Sequence, residues 1–197
     1  EGRYRLEYSV NEKVALEVAA GAALGGAMSL VTMKHVGVNV AADPLFTSVY
    51  TGLPGGMVLL TADDPGCHSS QNEQDNRQYA RAAGVIMLEP ADSQQAYDFT
   101  GAGFVLSEQF GLPVILRMTT RINHVKALVT VGERQEYFGA GFKKDPSRFV
   151  MVPGNAGKRI PLMFQRDITL RAEAEQSAWN VIEPGSDKRV AFITSGP

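Results

Sequence analysis

The 197-residue sequence predicts an α/β fold: a mostly parallel sheet with helices on both faces. Three observations predict it. Four short apolar runs, LVTM from Leu30, MVLLTA from Met57, VIMLEP from Val85 and PVILRMTT from Pro113, recur at nearly equal spacing. Each gap holds a segment with helix start or stop signals. The runs are continuous rather than alternating, as strands buried on both faces of a parallel sheet must be.

The elements follow in order. SVNEKVALEVAAGAALGG, residues 9–26, reads as a helix of small apolar residues with one carboxylate, Glu12, at its mouth. Ser9-x-x-Glu12 has capping-box spacing, so Glu12 either bonds back to the chain or is a carboxylate that does chemistry. The strand at Leu30 runs into TMKHVGVN, and the strand at Met57 into the long polar stretch TADDPGCHSSQNEQDN, residues 61–76. Ser70-x-x-Glu73 opens a helix expected over Gln71–Ala83, and Asp92-x-x-Gln95 opens one reaching Phe110. Gly84 and Gly111 stand where C-terminal caps belong. The strand from Pro113 ends in TTRINH. Beyond about residue 125 the repeat is lost, and a stretch rich in glycine, proline and charge reads as an extended crossing segment. One helix is expected there, from Pro161 to Trp179, followed by a strand in KRVAFITSG. The expected organisation is therefore a core at 1–125, a linker with one helix at 126–187, and the first strand of a further domain at 188–197. Neither terminus reads as natural, and the chain is expected to be a piece of a longer protein.

Composition excludes several classes. The net charge of −2, without a lysine–arginine cluster, gives nucleic acid nothing to bind. Cys67 is the single cysteine, so no internal disulfide is possible, and a lone thiol fits a cytoplasmic protein. Without a C-x-x-C pair the chain cannot by itself ligate an iron–sulfur cluster or a structural zinc. No apolar run approaches the ~20 residues that span a bilayer, and no export signal is expected. PGNAGKR at 153–159 lacks phosphate-loop spacing, and neither GAGF has a dinucleotide-binding context. CHSSQ is no nucleophile elbow, the three histidines lack zinc spacing, and Asp63-Asp64 is too little for a metal site. No metal is assigned to the chain.

Parallel sheets bind ligands at the carboxyl ends of their strands. Here the second strand end, with two acids, a histidine and several amides, reads as a solvated loop and helix cap or as a site. Beside TMKHVGVN on the neighbouring strand, a site is the better reading.

EYSVNEKVALEVAAGAALGG, LVTMKHVGVNVAADPLFT, ADDPGCHSSQNEQDNRQYAR and MLEPADSQQAYDF resemble the large-subunit sequences of thiamine-diphosphate-dependent 2-oxoacid:ferredoxin oxidoreductases, in the branch acting on indolepyruvate. The likeness covers nearly the whole chain and is most specific over Asp63–Arg77. It implies a thiamine diphosphate-binding fold of pyrimidine-binding type over 1–125, with the family's first strand missing. It also implies oxidative decarboxylation of arylpyruvates, transfer of the product to coenzyme A and electron transfer to ferredoxin. By position, Glu12 would bond the aminopyrimidine of the cofactor and help remove the proton from its reactive carbon. A carboxyl group in an apolar setting suits that role independently, because burial raises its pKa.

By the same resemblance Thr32, Gly37 and Asn39 would line the cofactor pocket. Lys34 and His35 would meet a substrate carboxylate or assist proton transfer, or else are an exposed loop pair. His68, Ser69, Gln71, Asn72 and Gln74 are the further substrate-side candidates, while Asp75 and Arg77 belong to an ion pair. The diphosphate-binding domain with its magnesium, and the segments ligating 4Fe-4S clusters, are not in this sequence. Expected partners are that domain, a beta subunit, ferredoxin, coenzyme A and the arylpyruvate, in an oligomer, without nucleic acid or membrane. The isolated chain is expected to be inactive. The alternatives are another 2-oxoacid as substrate, or a non-catalytic α/β docking or oligomerisation module; the polar strand ends speak against the latter.

Overall fold

The computed structural model describes residues 4–134 and 136–197. Its core is a four-stranded, wholly parallel sheet in the order β1-β2-β4-β3. The strands are β1 (Ser29–Lys34), β2 (Met57–Asp63), β3 (Met87–Leu88) and β4 (Val114–Thr119). The helices in the core are α1 (Glu12–Leu24), α2 (Gly37–Val40), α3 (Ala42–Thr51), α4 (Arg77–Ala83), α5 (Ser93–Phe110) and α6 (Thr120–His124). The four apolar runs are the four strands, and the α/β expectation holds.

Side chains alternate along each strand and so feed two cores. Val31, Met33, Met57, Leu59 and Ile115 meet α1, α3 and α4 on one face, through Leu16, Ala19, Leu45, Val49, Ala80 and Ala83. Val58, Leu88, Val114 and Leu116 meet Phe99 of α5 on the other. β2 and β4 lie inside the sheet and are covered on both faces, which is why they read as unbroken apolar runs. β1 is an edge strand, and its second face, with Leu30, Thr32 and Lys34, is exposed.

Three helix boundaries follow the expected signals. Asp92 accepts the Gln95 N–H at 2.8 Å to start α5, and Gly84 and Gly111 close α4 and α5 in the left-handed conformation. Two others differ. α1 is capped by Asn11, whose side chain accepts the Val14 N–H at 2.9 Å, so the Ser9–Glu12 capping box does not form. α4 begins at Arg77 rather than Gln71, because Glu73 turns back to accept the Gly66 N–H and Gln74 and Asn76 turn inward.

Beyond the sheet come α7 (Pro146–Phe149) and α8 (Pro153–Gln176). α8 starts eight residues' worth of chain earlier than the expected Pro161, and Pro153 is the proline that sits in its first turn. Pro161 lies inside the helix. The strand expected over 188–197 is not formed, since a strand exists only with a paired neighbour and these residues have none among the described residues. The crossing segment is tied to the core: the Gln94 amide exchanges two hydrogen bonds with the Thr130 backbone, and the Tyr137 hydroxyl donates to the Gly26 carbonyl. No helix among the described residues is long and apolar enough to cross a membrane.

Candidate active site at the strand carboxyl ends

α1 leads directly into β1 and packs antiparallel along it, so the N-terminus of α1 lies at the carboxyl edge of the sheet. That puts Glu12 beside the loop after β1. Glu12 is half-buried at the first position of α1, where the helix dipole favours a negative charge. Among the described residues its carboxylate has no hydrogen-bond or ion-pair partner. Gly37 lies directly against it: a Cβ added at Gly37 would meet Glu12 Cγ at 2.6 Å and Oε1 at 3.0 Å. Only glycine lets the chain pass this close.

The loop after β1 and the long loop after β2 are stitched together. The His35 ring Nε2 bonds the Asn72 carbonyl at 3.0 Å, and its backbone N–H continues the ladder to the Ala62 carbonyl at 3.2 Å. The His35 carbonyl accepts from Gln74 Nε2 at 3.0 Å and Asn76 Nδ2 at 3.3 Å. Asn39 donates to Gln74 Oε1 at 2.8 Å and accepts from the Tyr79 hydroxyl at 2.7 Å. Lys34 Nζ reaches the Ser69 carbonyl at 3.3 Å and Gln71 Oε1 at 3.4 Å, and has no carboxylate partner among the described residues. Of the residues expected at the site, Glu12 thus meets Gly37, and Lys34, His35 and Asn39 meet Ser69, Gln71, Asn72 and Gln74. Thr32 stands exposed on β1, one pleat before Lys34, and His68 is exposed in the long loop.

His35 corrects the expectation of an exposed or substrate-facing pair. It is 0% exposed, because it continues the inward alternation of Val31 and Met33, while Lys34 points out. With the ring N–H on a carbonyl, Nδ1 is left without a partner.

Beneath the loops lies a polar network that the sequence did not lead us to expect. Asp63, 1% exposed, accepts from Thr61 Oγ1 at 2.7 Å, Asn76 Nδ2 at 3.0 Å and Arg117 Nε at 2.6 Å, and Arg117 also pairs with Glu89. The signal was an arginine inside the apolar run VILRMTT. A charge in a buried strand requires a partner. Asp64 instead holds the loop. It accepts the Ser69 N–H at 2.8 Å and the Thr120 hydroxyl at 2.7 Å, and these donors hold its carboxyl far below the usual carboxylate range. Both acids of the Asp63-Asp64 pair are therefore committed to protein donors. Asp75 and Arg77 form the expected ion pair at 2.8 Å, local to the start of α4. No cluster of three metal-ligating side chains occurs among the described residues.

A cleft of about 270 Å³ opens beside this network, lined by Pro65, Glu73, Gln74, Asp75, Arg77 and Arg117 among others. The edge carries a carboxylate without a partner, a lysine without a counter-ion and a wall of amides. Such an arrangement can hold a nitrogen heterocycle and a carboxylate side by side.

Residues 6–168 match the family described as pyruvate flavodoxin/ferredoxin oxidoreductase, thiamine diphosphate-binding. The indolepyruvate oxidoreductase subunit IorA of Methanothermobacter thermautotrophicus is 50% identical over 192 residues, 96% of this chain and 31% of that protein. The subunit of the same name from Archaeoglobus fulgidus is 46% identical over 195 residues, 98% of this chain and 31% of that protein. The chain thus spans about a third of the length of these relatives. A solved 2-oxoglutarate:ferredoxin oxidoreductase from Magnetococcus marinus, with 2-oxoglutarate, coenzyme A and succinyl-CoA bound, shares the fold. Its TM-score is 0.63 at 16% identity, over 93% of this chain and 40% of that one.

Proposed function

The chain belongs to the thiamine diphosphate-binding family of pyruvate flavodoxin/ferredoxin oxidoreductases, and we propose that it is the pyrimidine-binding part of a large subunit that oxidatively decarboxylates indolepyruvate and related arylpyruvates. The products are an aryl-acetyl-CoA, carbon dioxide and reduced ferredoxin. The relatives' name supports the substrate class, and the lone thiol, Cys67, supports a cytoplasmic setting.

One observation carries the reading: the Glu12 carboxylate, half-buried and without a partner among the described residues, rests against a glycine at the sheet's ligand-binding edge. A carboxyl group so placed fits the ring nitrogen of an aminopyrimidine. Thiamine diphosphate, when bound, supplies the electron sink for decarboxylation. This chain's part would be to hold and exchange a proton at Glu12 Oε1, with Gly37 giving the carboxylate room beside the loop. Asn39 is assigned to the same pocket, whereas Thr32 lies on the face of β1 away from α1 and so apart from Glu12. Lys34, in contact with Ser69 and Gln71, offers the substrate carboxylate a cation, and His68, Asn72 and Gln74 are the further substrate-side candidates. His35, being buried, orders the loop rather than touching substrate.

Magnesium, 4Fe-4S clusters, the diphosphate-binding domain and a beta subunit belong to the rest of the assembly. The chain alone forms one wall of the site and is expected to be inert.

The test is isothermal titration of thiamine diphosphate with magnesium into the full-length subunit, wild type against Glu12→Gln. Modestly weaker binding with loss of arylpyruvate-dependent ferredoxin reduction, by about 10²-fold or more, is expected for a lost proton partner. Intact turnover in Glu12→Gln sinks the assignment.

A further inference from the structure

We propose that Asn76 is a positioning residue for the Glu12 carboxylate, acting through the turn His35–Gly37; the proposal rests on the reading of Glu12 given above. Asn76 occupies the position that caps α4, where an asparagine ordinarily accepts a backbone N–H of the first turn. It makes no such bond. Its side chain turns inward instead and is 0% exposed.

There the amide is saturated. Nδ2 reaches Thr61 Oγ1 at 2.7 Å, Asp63 Oδ1 at 3.0 Å and the His35 carbonyl at 3.3 Å, and Oδ1 accepts from Gln74 Nε2 at 2.6 Å. The far side of the Asp63 carboxylate is anchored by Arg117, which Glu89 holds in turn. Asn76 therefore joins a rigid ion network on β2 and β4 to the one carbonyl that ends the β1 ladder. Two residues later the chain reaches Gly37, against which Glu12 rests with no room to spare. A shift of the turn by a few tenths of an ångström moves the surface that supports the carboxylate. Asn76 is itself fully buried beneath these loops, so it acts through its neighbours.

Kinetics of the complete, cofactor-loaded enzyme test the proposal. Asn76→Ala removes the link and leaves Asp63 with its other donors. Turnover is expected to fall about tenfold or more, with KM for the arylpyruvate within about twofold, as for a misplaced catalytic group. The low-pH limb of kcat is expected to move in the same variant, which loss of stability alone does not produce. Thr61→Val keeps the shape of a buried residue and removes one of the two bridges, so a smaller effect in the same direction is expected. It also decides the matter should Asn76→Ala fail to fold. Unchanged kcat and pH profile in Thr61→Val and in folded Asn76→Ala overturn the proposal, whatever happens to the melting temperature. Glu12→Gln separates the two readings: if it abolishes turnover while the Asn76 and Thr61 variants do not alter it, only the positioning role fails. If Glu12→Gln itself turns over normally, the reading of Glu12 fails, and the positioning role with it.

Discussion

Gly37 is the residue that sets how close the loop after β1 comes to Glu12, and its role is steric. A methyl group there would overlap the Glu12 side chain, with its Cγ only 2.6 Å away. Gly37→Ala therefore has two ways to relax: strain of about 1–3 kcal/mol in the packed turn, or a carboxylate pushed off its position. Both weaken the cofactor site. A loss of thiamine diphosphate affinity with a lower melting temperature is expected in the full-length subunit, by titration and thermal melt. Affinity equal to wild type removes Gly37 from the pocket. At this scale the sequence was partly legible. Glu12 stood out as a lone carboxylate on an apolar helix. His35 was legible too, because Val31, Met33 and His35 share one side of a strand, but the eye is drawn to Lys34-His35 as a polar pair. Arg117 announced a buried network by its place in an apolar run, yet its partners are Asp63 on β2 and Glu89 just beyond β3, and pairing across a sheet is not written locally.

Among the elements, α8 shows most clearly what local signals miss. An α-helix leaves its last four carbonyls without intrahelical donors. At the end of α3 three of them are taken up by arginines from the crossing segment: Arg148 Nε on Thr51 O at 3.0 Å, Arg159 Nε on Tyr50 O at 2.9 Å and Arg166 Nη2 on Val49 O at 2.8 Å. Cations at a helix C-terminus also complement its dipole. Burial lowers the pKa of Arg148 and Arg166, and Arg159 nearby adds repulsion, but guanidinium groups stay charged. The segment that composition marks as a linker is thus clamped to the core, against which Met163 and Leu170 of α8 pack. Arg166→Ala is expected to cost about 1.5–3 kcal/mol, as for a hydrogen bond to a charged group. Arg171→Ala, whose exposed pair with Asp167 is solvated, should cost about 0–1 kcal/mol. Thermal melts and limited proteolysis around 150–176 distinguish them, and equal, small effects would show that the clamp does not hold α8. The start of α8 was misjudged because PGNAGKR reads as a loop, though Pro153 has the geometry of a first helical turn. The end of the segment, VAFITSG, has strand composition without a neighbour to pair with, and composition does not make a ladder.

For the whole molecule the consequence lies along β1. Its ladder to β2 satisfies one edge; the other is unpaired among the described residues. On the face away from α1, Leu30 remains 49% exposed beside Thr32, so an open edge and an uncovered apolar strip coincide. Residues 4–10 add to this. Tyr4, Leu6, Tyr8 and Val10 alternate with Arg5, Glu7 and Ser9, the pattern of a half-buried strand, yet all four apolar side chains are exposed. Parallel edges with apolar faces recruit further strands, and proteins that keep such edges soluble place a lysine on them. Lys34 sits at the end of β1 but is engaged with the long loop, which leaves the middle of the strand unguarded. The isolated chain is therefore expected to self-associate as its concentration rises. Leu30→Lys is expected to suppress this while shifting the melting temperature by no more than about 2 °C, as for a surface substitution. Light scattering across a dilution series checks both statements. Equal association in the two proteins would place the contact elsewhere, with the exposed stripe Ile160, Phe164 and Ile168 of α8 as the next surface to charge.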